Sequence, residues 1–372
     1  MENHNLHTVG LTVEEIDTPA LLLDLDAMER NLAAMASFFA SKKATLRPHT
    51  KTHKAPILAH RQIAAGARGI CCQKLGEAEI MAQGGITDIL ITNEIVGRQK
   101  VRRLMHLARQ LRHGRLAVCV DHPANVNELS EAVQAAGVRL DVLVDVNVGQ
   151  NRCGVAPGKP ALELARQVLR SPGLRLRGLQ GYEGHCMVKE DEQERRHAFE
   201  AAWSLLLETK HLLKREGIDL EEISAGGTGT FEWLVECPEA TEVQAGSYIV
   251  MDAKYRKVIG ETRFACALSV LSTIMSTPDA DYAVCDAGFK TITHDQGMPE
   301  VKGVAGIEYY LGGDEHGRLR YVDAARRFEL GEKIELIVSH CDTTINLYDK
   351  YFGVRNGVVE VVWDIAGRGK SQ

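Results

Sequence analysis

Residues 115–147 read RLAVCVDHPANVNELSEAVQAAGVRLDVLVDVN, and this stretch decides the fold. RLAVCVD (115–121) and LDVLVDVN (140–147) are short β-branched or Leu-rich runs. Between them ANVNELSEAVQAAG (124–137) carries apolar residues at three- and four-residue spacing and ends on glycine. Strand, amphipathic helix, strand is the sign of a β-α-β unit and hence of a parallel sheet. The alternation runs from about residue 45 to 250. It adds strands at TLRPHT (45–50), GICCQ (69–73), DILITN (88–93), LRLRGLQGY (174–182), EEISAG (221–226) and TEVQAGSY (241–248). Helices are expected at 76–85, 98–112, 159–170 and 193–217, most of them closing near glycine. Eight such units favour a closed (β/α)8 TIM-type barrel, with an open doubly wound sheet as the alternative.

Beyond residue 260 the texture changes. ACALSVLSTIM, DYAVCDAG, IEYYLGG, RLRYVDA, EKIELIVSH and GVVEVVWDIAG are strand-like runs joined by Gly, Asp and Pro turns, without long helices. They predict a second, mostly antiparallel β-domain. TPALLLDLDAMERNLAAMASFFAS (18–41) is a strand entering a helix, and its strand is expected to pair with that β-domain. The expected division is a barrel over 26–260 and a β-domain of 1–25 plus 261–372.

Bulk properties narrow the function classes. The chain has 372 residues, 45% hydrophobic and 25% charged, with a formal net charge of −6. No basic footprint for nucleic acid appears, nor a polybasic or apolar segment for a membrane. Nine cysteines lack paired CxxC spacing, and MENHNLHTVGLTVEE has neither the basic nor the apolar region of a signal peptide. Reduced thiols in the cytoplasm are the simpler expectation.

The unusual polar residues fall at the expected C-terminal strand ends, where parallel barrels carry their chemistry. In RPHTKTHK, alternation puts Arg47, His49 and Lys51 on one strand face. A lysine in a partly dry barrel mouth can act as an amine nucleophile, whereas a solvated one in a basic loop cannot. AGGTGT (225–230) and QAGSYIVMD (244–252) offer backbone N–H groups to a phosphate on neighbouring late strands, although glycines also serve tight turns. A lysine on the first strand opposite such a cup is the layout of a pyridoxal phosphate site. Arg152, Tyr182 and His185 lie between them, readable as a cofactor-ring cation, a phosphate ligand and an acid/base. Taken singly they also read as a surface ion pair, a packed aromatic and a helix cap. VSHCDTTINLYD (338–349) sets His340, Cys341 and Asp342 in a row. In a strand, His340 and Asp342 would project together and Cys341 away, offering either a His-x-Asp pair or a lone thiol.

Taken together, DTPALLLDLDAMERN, LRPHTKTHK, GICCQKLGEAE, VDVNVGQNRCG, GLQGYEGH, GGTGT, EVQAGSYIVMD, VCDAGFK, GGDEHG and SHCDTTINLYD resemble the D-threonine aldolase and D-serine dehydratase group of pyridoxal phosphate enzymes. That group is related to alanine racemase through its barrel. The resemblance runs in order from residue 17 to about 366. It implies an N-terminal (β/α)8 barrel with a C-terminal β-domain, and a homodimer whose site lies where one barrel meets the partner's β-domain. It also implies Lys51 as the Schiff-base lysine, Gln73 near the cofactor ring and Arg152 at the ring nitrogen. Tyr182, Thr228, Gly229, Gly246, Ser247 and Tyr248 would surround the phosphate. Aldolases of the group resemble HxD at the metal motif and dehydratases HxC, so His340 and Asp342 imply an aldolase binding Mn²⁺ or Mg²⁺. Some aldolases read YHGS with a later histidine where this chain has YEGHCMVKE, and His185 is the substitute base. Asp314 and His316 in GGDEHG are candidate substrate contacts.

The implied reaction is metal-assisted retro-aldol cleavage of a D-3-hydroxy amino acid to glycine and an aldehyde. The rival is dehydration of D-serine or D-3-hydroxyaspartate with the same cofactor and metal. A non-enzymatic cofactor-binding module is disfavoured by the β-domain and its metal motif, and a racemase would need no metal.

Overall fold

The computed structural model of the chain describes residues 8–372, so residues 1–7 of the stretch read for targeting signals lie outside the described residues. The chain forms two compact units. The first comprises the described residues up to Ala34 with Thr52–Ala55 and Ser247–Arg368; the second comprises Met35–Lys51, Pro56–Gly246 and Gly369–Gln372. β1 (Ala20–Asp24) runs directly into α1 (Leu25–Phe39), which leads the chain from the first unit to the second.

The second unit is the barrel. Its strands are β2 (Thr45–Leu46), β3 (Ile70–Cys72), β4 (Asp88–Glu94), β5 (Arg115–Val120), β6 (Leu140–Asp145), β7 (Leu174–Gly181), β8 (Glu222–Ala225) and β9 (Glu242–Val243). They are parallel, in the order β2-β9-β8-β7-β6-β5-β4-β3. The sheet closes on itself. Arg68 N–H donates to Leu46 O at 2.9 Å, Cys71 N–H to Pro48 O at 2.9 Å and Thr50 N–H to Cys71 O at 2.8 Å. All eight expected strands are present. Each of β2 to β8 is followed by a helix: α2 (Pro56–Ala64), α3 (Leu75–Gln83), α4 (Arg98–Gln110), α5 (Pro123–Ala136), α6 (Lys159–Arg170), α7 (Glu192–Arg215) and the short α8 (Phe231–Leu234). α5 starts where His122 accepts the Ala124 N–H with Pro123 at the first turn, and stops at Gly137 in the left-handed conformation.

The barrel interior is half apolar and half polar. Cys71, Leu90, Ala117, Cys119 and Leu143 form a fully buried cluster. Beside it a buried hydrogen-bond column runs from strand to strand. Gln180 Nε2 donates to Asp145 Oδ1 (3.1 Å), Gln244 Nε2 to Gln180 Oε1 (3.0 Å) and Ser224 Oγ (2.8 Å), and Ser224 Oγ to Glu242 Oε1 (2.7 Å). Arg47 Nε then donates to Glu242 Oε2 and Arg47 Nη1 to Asp88 Oδ1, both at 2.6 Å. Around this guanidinium, Arg115 pairs with Glu222 and Asp141, and Arg177 with the same two carboxylates and Glu221. These pairs form a charged floor, most of it at the strand starts.

The first unit holds α9 (Ala253–Ile259), β10 (Leu268–Ser276), β11 (Tyr282–Cys285), β12 (Glu300–Val301), β13 (Ile307–Leu311), β14 (Gly317–Tyr321), β15 (Lys333–Ile337), α10 (Cys341–Ile345), β16 (Lys350–Arg355) and β17 (Val358–Asp364). Its main sheet runs β13-β14-β11-β10-β1-β16-β17, with β15 pairing β10 and β12. β1 pairs antiparallel with β10 and parallel with β16, as expected of the N-terminal strand, and the remaining pairs are antiparallel. Two readings need correction. β12 and β16 lie outside the expected strands, because EV is only two residues long and KYFGVR interrupts its apolar residues with charges and a glycine. The SHCD stretch is not a strand: β15 ends at Ile337, His340 is the extended N-cap residue and α10 begins at Cys341. No helix among the described residues is long and apolar enough to cross a membrane.

Arg47 lies at the closing seam, 0% exposed with Glu242 equally buried. Removing one member of a buried pair strands the other, at a cost of about 3–5 kcal/mol. Arg47→Ala is therefore expected to lower the urea midpoint markedly. A wild-type midpoint would show that the floor does not hold the barrel.

Candidate active site

The strand carrying Lys51 is shorter than alternation suggested. Pro48 has no N–H for the ladder, so β2 stops at Leu46 apart from one bridge between His49 and Cys71, and Lys51 sits in the following turn. Arg47 points instead into the charged floor. A directed chain of hydrogen bonds fixes the lysine's turn. Lys51 N–H donates to His49 Nδ1 (3.4 Å), which leaves His49 Nε2–H to donate to Thr92 Oγ1 (2.9 Å). The Thr92 hydroxyl lies 3.3 Å from both Gln73 Oε1 and Cys72 O. Lys51 and Gln73, both half-buried, are thus tied to one network across β3 and β4.

A second group gathers at the ends of β6 and β7. The exposed Arg152 guanidinium lies over the Tyr182 ring, 5.5 Å from its centroid. His185 packs its ring against Gly149, where a Cβ would come within 3.2 Å of Cε1. His185 Nδ1 and Gln150 Oε1 are buried without a hydrogen-bond partner, so both can receive a bound group. Burial, with a smaller contribution from Lys189, holds the His185 pKa below its usual value and keeps the imidazole neutral. The glycine loop comes against the same tyrosine: a Cβ on Gly227 would stand 3.6 Å from Tyr182 Cε2 and 2.9 Å from Met187 Cε. Thr228, Gly229 and Gly246 are buried, and Gly246 passes so close to His49 that a Cβ would meet its carbonyl oxygen at 2.5 Å.

The sequence reading missed the carboxylates next to Arg152. Ligand atoms of Glu94, Asp121 and Cys153 lie within 4.8 Å of one another, and Gly154 N–H donates to Asp121 Oδ2 at 3.1 Å. Asp145, 6% exposed, shares a hydrogen bond with Glu94. Burial and then the Glu94 charge push its pKa up to about 7.

In the first unit, Ser247 and Tyr248 are buried, with Ser247 Oγ 3.4 Å from Thr52 Oγ1. His340 and Asp342 are partly exposed, while Cys341 is fully buried. Asp252 holds the motif from beneath: Oδ1 accepts from Tyr255 N–H at the start of α9 (2.7 Å), and Oδ2 accepts from Cys341 N–H (3.0 Å). Asp295, also absent from the sequence reading, faces His340 Nδ1 with Oδ2 at 2.5 Å and takes the Thr343 hydroxyl on Oδ1 at 2.9 Å. An ionised carboxylate only accepts, so Nδ1 carries the proton and Nε2 keeps its lone pair for a metal. Asp314 and His316 sit on the exposed turn between β13 and β14.

Comparison with known proteins gives the family. The description "Alanine racemase, N-terminal domain" matches residues 23–254, and "Putative serine dehydratase domain" matches 267–354. A D-threonine aldolase of Arthrobacter sp. is 42% identical over 98% of this chain and 96% of its own length. The chain belongs to the D-threonine aldolase family. A 3-hydroxy-D-aspartate aldolase of Paracoccus denitrificans (strain Pd 1222) is 36% identical, over 97% of this chain and 94% of its own. The crystal structure of D-threonine aldolase from Filomicrobium marinum, 43% identical, covers 98% of both chains with a TM-score of 0.94.

Asp295 orients the His340 ring. If His340 is a metal ligand, Asp295→Ala is expected to weaken Mn²⁺ binding about 10–100-fold by calorimetric titration, the scale for partners of metal-binding histidines. Unchanged affinity would remove Asp295 from the site. For Asp145 the sign follows from the raised pKa: between its usual 3.8 and about 7 the folded chain keeps a proton that the unfolded chain has released. Its contribution to stability therefore falls as pH rises through that window. Asp145→Asn should lose less stability than the wild type across it, read from urea midpoints at each pH, and parallel curves would contradict this.

Proposed function

We propose that the chain cleaves D-3-hydroxy amino acids of the D-threonine type to glycine and an aldehyde, with pyridoxal phosphate in the barrel unit and a divalent cation on the SHCD motif. As a family member it is a carbon–carbon lyase of the D-threonine aldolase type. The observation that carries the reading is the state of SHCD. Its only thiol, Cys341, is fully buried and burial raises its pKa, so His340 and Asp342 remain as ligands. That nitrogen–oxygen pair matches the aldolase form of the motif and suits Mn²⁺ or Mg²⁺.

The barrel's donors fit the cofactor. Lys51 supplies an amine on a turn fixed by hydrogen bonds, Arg152 a permanent cation, and Gln150 and His185 buried polar atoms awaiting partners. When bound, pyridoxal phosphate supplies the electron sink for the pair released as Cα–Cβ breaks. Lys51 would tether it, Gln73 would lie beside the ring and Arg152 would keep the ring nitrogen unprotonated. Tyr182, Thr228, Gly229, Gly246, Ser247 and Tyr248 bind the phosphate. His185, kept neutral by burial, accepts the β-hydroxyl proton on a ring nitrogen. His340 Nε2 and the Asp342 carboxylate would hold the cation, whose chemistry there would be to acidify the β-hydroxyl. Asp314 and His316 contact the substrate side chain. The nine cysteines, all free, support a reducing cytoplasm, and the family resemblance supports a homodimer.

Incubation with D-threonine, D-phenylserine and D-3-hydroxyaspartate, with and without chelator, tests the reading. Glycine and the matching aldehyde are expected, lost on chelation. Ammonia with a 2-oxo acid and no glycine would make the chain a dehydratase. Lys51→Ala should lose the visible cofactor absorbance, while Asp342→Ala should keep it and lose metal-dependent turnover.

A further inference from the structure

Glu183 is the least expected residue of YEGH. It is a carboxylate at the end of β7, 2% exposed, with no basic side chain paired to it among the described residues. Burying an acid without a cation is unfavourable, and its pKa is raised by that burial. The geometry shows what retains it. Thr230 Oγ1 donates to Glu183 Oε1 at 2.6 Å, and Gly226 N–H donates to Oε2 at 3.1 Å. These two partners are the ends of GGTGT. Gly227 N–H in turn donates to Thr230 Oγ1 at 3.3 Å, so the carboxylate, the threonine hydroxyl and the first turn of the loop form one connected set.

Gly226 has φ +78°, where a side chain would be strained, and a Cβ there would come within 2.6 Å of Leu234. Glu183 thus grips a residue whose conformation already bends the loop. Met187, four residues after Glu183, fills the loop's inner side: Cβ atoms on Gly227 and Gly229 would stand 2.9 and 3.2 Å from its side chain. The segment YEGHCM therefore holds GGTGT at both ends and along its middle. Thr228 and Gly229 lie between the two gripped ends, both buried.

We propose that Glu183 is a positioning residue for the phosphate of the cofactor: by bridging Gly226 and Thr230 it presets the curvature of the loop that presents Thr228 and Gly229 to that phosphate. The proposal rests on the reading of GGTGT as the phosphate loop. A loop set in its binding shape beforehand loses less entropy on binding, and that gain applies only to ligands carrying the group it grips.

This selectivity separates positioning from general support of the fold. Wild type, Glu183→Ala and Thr230→Val would be stripped of cofactor as full-length enzymes and titrated with pyridoxal phosphate and with pyridoxal, which lacks the phosphate, following the visible absorbance. In Glu183→Ala the dissociation constant for pyridoxal phosphate should rise about tenfold or more, the scale of lost buried hydrogen bonds. Pyridoxal should bind as it does to wild type. Thr230→Val, which removes the bonds to Glu183 and from Gly227 while leaving the Gly226 grip, should move the same ratio in the same direction and serves if Glu183→Ala does not fold. Equal loss for both ligands, or none for either, would overturn the positioning role. A wild type that fails to prefer pyridoxal phosphate over pyridoxal would overturn the phosphate reading itself, and the role of Glu183 with it.

Discussion

The barrel depends on one buried guanidinium. β2 and β9 are each two residues long, too short for their ladders alone to hold the seam where the sheet closes. Arg47 reaches from the end of β2 to Glu242 on β9 and Asp88 on β4, linking strands on both sides of the closure. Such a pair adds little stability over an apolar replacement of the same shape, but it penalises wrong registers, since a shift by one residue would leave a buried charge alone.

That constraint reaches the mouth of the barrel. Glu242 accepts from Ser224, Ser224 from Gln244, Gln244 donates to Gln180 and Gln180 donates to Asp145, so the charged floor and the carboxylates beside Arg152 are ends of one column. Buried polar columns tolerate no missing member, because each amide is oriented by the next. The barrel gains an interior of fixed polarity, which a Leu- and Val-filled core would not provide. The apolar cluster around Leu90 and Leu143 supplies cohesion, and the polar half supplies orientation.

The periodicity of the sequence was enough for the barrel. All eight strands overlap the runs read as strands, because most positions of a strand covered on both faces are apolar even where the interior also carries a paired polar column. The pairing of β1 with the β-unit was equally legible, since the strand precedes the first barrel helix and has no barrel position to fill. Candidate site residues stood out only where short motifs carry them. Lys51, the glycine loop and His340 with Asp342 stood out, yet the strand geometry assigned to SHCD was wrong. The Asp252 carboxylate that receives the Cys341 N–H at the start of that helix lies 89 residues away. Asp295 and Glu183 escaped notice for the same reason. Their partners lie 45 and 47 residues distant, and a lone acid in a loop carries no sign of the group that it will orient.

The place of β1 also bears on how the protein is made. It lies inside its sheet, between β10 and β16, so the unit bearing SHCD cannot complete its sheet until the ribosome has passed the entire barrel and most of the C-terminal strands. β1 leaves the ribosome before any barrel strand and meets its neighbours only after the barrel sequence has passed. The barrel sequence emerges in between and can fold while that strand waits. Completion of the sheet beside SHCD then records that segments separated by the whole barrel sequence have met.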